Sequence, residues 1–140
     1  MANRLPPLLD DRSAGQELLL VVVVPSLFGA IAGVMLGISE IAYLVLAILG
    51  IAGGYGAGLE HAGPRYGAYR GLVGGMQFGV WILLAHGLFF DSEPKAELPH
   101  PEILLVAITT VFGVILGALG GRHRARLAER TAAAPAPAQP

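Results

Sequence analysis

The sequence predicts an all-α fold: an integral membrane four-helix bundle, both termini cytoplasmic, held by glycine-zipper packing. Three observations lead there. Of the 140 residues, 54% are hydrophobic and only 14% charged, with mean hydropathy +0.65. A soluble domain carries about 25% charged residues, so this chain is short of polar surface. Four apolar segments approach the ~20 residues that a helix needs to cross ~30 Å of hydrocarbon. Glycine, 20 residues in all, recurs in each segment at four-residue intervals. Inside a bilayer only helix satisfies every peptide group within one segment, so each run is read as a helix.

Residues 1–16 form a cytoplasmic N-terminal segment. Asp10, Asp11 and Glu17 interrupt the basic region that a cleaved signal would need, so the first apolar run is read as a retained span. Helix 1 covers about 18–38, "LLLVVVVPSLFGAIAGVMLGI". Only Ser39 and Glu40 join it to helix 2, about 41–61, so the two must form an antiparallel hairpin. Helix 3 covers about 67–90. The connection "DSEPKAELPHPE" is acidic and holds Pro94, Pro99 and Pro101. It should be extended, with Pro101 in the first turn of helix 4, about 101–121. The four helices make one transmembrane domain, 17–121. Residues 122–140 begin with "RHRAR" and end in an Ala/Pro-rich stretch with little to bury, read as a disordered cytoplasmic tail. Arg4, Arg12, Arg65, Arg70 and the "RHRAR" run all fall on one side of the membrane. That side is the cytoplasm by the positive-inside rule, and a multi-pass protein of the cell (inner) membrane is expected.

The glycine series are Gly29, Gly33 and Gly37 in helix 1, and Gly50, Gly54 and Gly58 in helix 2. Helix 3 carries Gly67, Gly71, Gly75 and Gly79; helix 4 carries Gly113, Gly117 and Gly121. Residues four apart share a helix face, so each series clears side chains from a stripe. Lipid offers no hydrophobic drive between helices, and close backbone approach takes its place. The stripe on helix 3 drifts about 120° between Gly67 and Gly79, and Gly53 and Gly74 widen the smooth surface. One small bundle has a single seam, so this surplus predicts a homo-oligomer or a subunit of a membrane complex. "GGYGAG" is not a phosphate loop: no strand precedes it and no Lys-Ser/Thr follows.

Three polar groups interrupt the apolar pattern. Glu60, His61, Arg65 and Arg70 lie at the junction of helices 2 and 3. They read as interfacial ion pairing, with Tyr66 and Tyr69 as an aromatic belt. At mid-membrane depth, Ser26, Gln77, Thr109 and Thr110 form either interhelical glue or a polar path with Arg70 at its inner mouth. Toward the outer side, Glu40, His86, His100 and Glu102 form a candidate polar cluster, because a histidine within a span needs a partner.

Several functions are excluded. Cysteine is absent, which removes disulfides, thiolate catalysis and Cys-ligated zinc. Adjacent Glu60 and His61 lack the spacing that puts two ligands on one helix face, so no metal is expected. Neither "HExxH" nor "GxSxG" occurs and no carboxylates pair within a span, so neither enzyme activity nor a cofactor is predicted. A net charge of −1 argues against nucleic acid. With the lipid bilayer as its medium, the chain reads as a channel or transport component for an ion or small solute. The other reading is a non-conducting accessory or assembly subunit of a larger complex.

Overall fold

In a computed structural model, which describes residues 7–133, four helices are long and apolar enough to cross a membrane. They are α1, Ala14–Ile38; α2, Glu40–Gly58; α3, Pro64–Phe89; and α4, Leu104–Ala133. All regular structure among the described residues is helical. Arg4 and the Ala/Pro stretch from 134 onward lie outside them.

The helix ends depart from the sequence expectation for local reasons. α1 starts at Ala14 rather than near 18, because the Ser13 hydroxyl accepts the Gln16 N–H and caps it. Over Leu19–Val23 the helix widens into a π turn. Two residues further on stands Pro25, whose ring would collide with the carbonyl four residues back in a regular helix; the wider turn relieves that. Ser39 is extended and caps α2 by accepting the Ala42 N–H at 3.4 Å. α2 stops at Gly58, short of 61, and the chain turns through Gly63, whose φ of 121° suits glycine. Pro64 then opens α3 three residues earlier than the predicted 67.

The acidic connection is not simply extended. It folds back over the end of the bundle: Lys95 N–H bonds the Leu36 carbonyl at 2.9 Å, and Ala96 is only 6% exposed. Pro101 sits in a turn before α4, accepting the Leu104 N–H, instead of inside the helix. At its other end α4 continues to Ala133, through the basic segment that follows the expected helix end at 121. Ala, Leu, Arg and Glu dominate 122–133, and these are good helix formers. Thirty residues span about 45 Å, so the last turns extend some 15 Å beyond ~30 Å of hydrocarbon.

α3 lies between α1 and α4, and its interface with α4 is the most extensive in the protein. Bare backbone meets bare backbone there. A Cβ on Gly71 would strike the Gly113 carbonyl, one on Gly67 the Gly117 carbonyl, and one on Gly75 the Thr109 carbonyl. α1 approaches α3 in the same manner, Gly29 at Phe78 and Gly33 at Ile82. Gly58 of α2 meets Gly117, whereas Gly54 has only ordinary contacts and Gly53 and Gly56 have no neighbour. Most of the glycine surface is thus covered within one chain, including the drifting stripe of α3, which follows α4. Side chains fill the half nearer the acidic loop: Leu36 and Ile82 are fully buried, with Ala32, Tyr43, Phe78, Ala96 and Leu105 around them. Large apolar residues such as Leu27, Ile41, Ile48 and Leu88 cover the outward faces, which only lipid would solvate cheaply.

Candidate functional site

A cavity of ≈360 Å³ lies between α1, α2 and α3, with Thr109 and Gly113 of α4 as its floor. It exists because glycines face it from two helices: Gly50, Gly53, Gly54 and Gly56 from α2, and Gly71, Gly74 and Gly75 from α3. Phe28 and Phe78 line its inner part, their rings stacked with centroids 6.1 Å apart. Val24, Leu49, Gly53 and Gly56 line it while remaining exposed, so it opens sideways between α1 and α2. Leu20, Glu60 and Arg70 line the end nearer the arginine-rich side.

Arg70 crosses from α3 to α1, and its Nη2 donates to the Leu20 carbonyl at 2.5 Å. The need for that bond is written in α1. The π turn gives the Val24 N–H to Leu19, and the next donor in the same register, five residues after Leu20, is Pro25, which has no N–H. Leu20 therefore has a carbonyl without a helical donor inside an apolar span, and Arg70 supplies one. Gly74 makes room for this: a Cβ there would lie 2.8 Å from Arg70 Nη1.

Glu60 is held by Arg12, Nη2 to Oε1 at 2.6 Å, with the side chains 21% and 18% exposed. The N-terminal turn Leu9–Asp11 is fixed to the same residue, Leu9 N–H donating to the Glu60 carbonyl at 3.0 Å. The Nε atoms of Arg12 and Arg70 are buried without a partner. A second cavity, ≈480 Å³, shares Arg70 and is lined by Asp10, Glu17, His61, Tyr66 and Tyr69. Arg70 thus borders both cavities.

Interfacial pairing expected from the sequence is only partly assembled. Arg65 lies exposed over the Tyr69 ring at 5.9 Å, a cation–π contact, rather than on Glu60. The His61 ring hydrogen-bonds the Ala57 carbonyl through Nδ1 at 3.1 Å. In the anticipated polar belt, Thr109 and Thr110 both donate to the Val106 carbonyl of their own helix, and Gln77 Oε1 is buried without a partner. Of the five belt residues Arg70 and Thr109 line the ≈360 Å³ cavity, while Ser26, Gln77 and Thr110 do not. In the outer group His86 is buried against Phe90, ring centroids 5.6 Å apart, with Nδ1 unpartnered. Glu40, His100 and Glu102 are exposed, and among the described residues no hydrogen bond or ion pair joins them to it.

Sequence reasoning missed the far side of these contacts. Arg12 is the partner of Glu60. Arg124 on the α4 extension donates to the Leu59 carbonyl at 2.7 Å, which caps the open end of α2, and Tyr55 hydrogen-bonds His123 beside it. Pro25 within a span was the one visible signal, since a proline in a helix interior leaves a carbonyl without its helical donor. Among the described residues no three His, Asp or Glu side chains come together as a metal site.

Four apolar spans around a laterally open cavity, with charge at one end, define a multi-pass membrane protein. No family model, curated protein or solved structure matches this chain.

Proposed function

We propose that the protein is a small transport component of the cell (inner) membrane, with both termini cytoplasmic, and that the ≈360 Å³ cavity is where an ion or small solute binds. Arg70 carries this reading. A guanidinium within a span is costly, and ionisable residues placed there mark substrate and ion pathways. The volume is within the range of small-molecule sites. The route moves from the mid-membrane belt to the α1–α2–α3 cavity, because Arg70 and Thr109 line it whereas Ser26, Gln77 and Thr110 do not. Close approach of Gly67 and Gly71 to Gly117 and Gly113 supports a glycine zipper as the rigid wall behind the cavity. Flux of small anions and cations from proteoliposomes, compared between the wild type and Arg70→Gln, tests the proposal. Anion flux that falls at least tenfold in the variant supports it; wild-type vesicles as tight as empty ones would end it.

One observation favours the accessory or assembly reading. At the lateral opening of the cavity Gly53 and Gly56 leave α2 bare with nothing near, a surface that fits the packing of another membrane helix. Disulfide crosslinking in native membranes through Cys at Ala52 separates the two: capture of a second copy or another membrane protein supports that role, and a monomer throughout removes it.

A further inference from the structure

Resting on the transport reading, we propose that the cavity takes a single-chain anionic amphiphile, its tail among the glycines and its carboxylate or phosphate head on Arg70. Three features of the site specify this ligand. The walls are apolar or bare backbone apart from Thr109, whose hydroxyl is spent on the Val106 carbonyl, and the side chains at the end away from Arg70 are Phe28, Leu49 and Phe78. No polar ligand would desolvate there without loss. The charge is at the other end only. Glu60 and Arg70 are the charged lining residues, and Glu60 is already matched by Arg12 at 2.6 Å. Arg70 is left with a neutral carbonyl as its hydrogen-bond partner and a buried, unpartnered Nε. The local sum of Arg12, Glu60 and Arg70 is one positive charge. Asp10 and Glu17 face Arg70 only across the second cavity, where both are exposed.

Size selects one chain over two. Arg70 and Phe78 are eight residues apart on α3, roughly 12 Å along its axis. A methylene occupies about the volume of one water, ~30 Å³, so ≈360 Å³ accommodates a tail of on the order of ten carbons. The sideways opening between Val24 of α1 and Leu49, Gly53 and Gly56 of α2 lets such a tail slide in from the bilayer. Gly53 and Gly56 have no atom near a would-be Cβ, so the rim is low where the tail must pass.

The test uses the full chain in zwitterionic-lipid nanodiscs and a decanoic acid carrying a photoactivatable diazirine near its methyl end. Mass spectrometry should map labelling to peptides containing Leu49 and Phe78. Unlabelled decanoate should displace it, while decyltrimethylammonium should not. Arg70→Gln should raise the decanoate concentration needed for displacement about ten- to hundredfold, the loss expected for hydrogen bonds to a charged group. Arg70→Lys should recover part of it. Gly54→Leu fills the cavity from a position with only ordinary contacts and should abolish labelling while the helical circular dichroism is kept. Equal displacement by the cation, or unchanged affinity in folded Arg70→Gln, overturns the inference. Displacement by a two-chain anionic lipid as effective as decanoate overturns the single-chain assignment. Binding as described, with no flux in proteoliposomes, leaves this inference standing and removes the transport reading instead.

Discussion

Gly71→Ala and Gly53→Ala add the same methyl group to neighbouring transmembrane helices, and the structure assigns them opposite signs. At Gly71 the new Cβ meets the Gly113 carbonyl, which is backbone and cannot rotate away. The helices must separate, and the neighbouring approaches of Gly67 to Gly117 and Gly75 to Thr109 loosen with them. Overpacking of this kind costs about 1–3 kcal/mol, and coupling to two further contacts favours the upper half. Alanine regains about 0.8–1.0 kcal/mol of helix propensity, leaving a net loss of roughly 1–2 kcal/mol. At Gly53 nothing lies within 4 Å of the new Cβ, so only the propensity gain remains, up to about 1 kcal/mol. The two variants should differ by roughly 2–3 kcal/mol, taking these two estimates together. Thermal unfolding followed by circular dichroism in a mild detergent should place Gly71→Ala several degrees below the wild type and Gly53→Ala at or above it. Equal midpoints, or the reverse order, would refute intramolecular glycine packing between α3 and α4.

Pro25→Ala restores an N–H in α1, so the penalty of Arg70→Gln should be smaller in that background than alone; a double-mutant cycle on unfolding midpoints checks it, and additivity within a few tenths of a kcal/mol denies the Leu20 bond its role. Arg12→Gln leaves the part-buried Glu60 carboxylate unmatched and should destabilise by about 1–3 kcal/mol, with Arg12→Gln/Glu60→Gln recovering part of the loss in the same assay. Arg124→Gln removes the donor on the Leu59 carbonyl and should speed amide exchange at the α2 end, measured by hydrogen–deuterium exchange, while the α3–α4 interface stays protected. For topology, a Cys at exposed Ser92 should react with an impermeant thiol reagent from outside intact cells, and one at exposed Ala133 should not.

The spans were legible because a bilayer imposes one local rule on every backbone group, and composition alone registers it. Four runs of about the right length gave four helices, with errors of three to four residues at α1, α2 and α3 where caps decide. Ser13, Gly63 and Pro64 fix those ends, and each acts through a single side chain or dihedral that hydropathy does not see. The larger errors came where the chain leaves the apolar regime. Residues 122–133 look like tail by charge, yet they are helical by propensity and by a docked Arg124. The acidic loop looks extended by its prolines, yet Ala96 and Leu98 join the core.

The site was less legible, because its defining contacts join residues about fifty positions apart. Arg70 reaches Leu20, and Arg12 reaches Glu60. No periodicity encodes such pairs. The sequence did supply each half separately: a proline in an apolar span, and an arginine just inside another. Put together, they obey one physical demand. A carbonyl freed by Pro25 in a medium without water must find a donor from a neighbouring helix, and on α3 the residue that reaches it folds across a glycine, Gly74, that leaves the space. Thr109 and Thr110 of the expected belt draw no partner across the bundle for the complementary reason, while Gln77 Oε1 stays buried without one. Thr109 and Thr110 satisfy themselves on the Val106 carbonyl of their own helix, so nothing requires them to meet a partner across the bundle. A hydroxyl that finds an acceptor on its own helix needs no partner across the bundle, whereas the Leu20 carbonyl had no donor on its own helix and drew Arg70 to it.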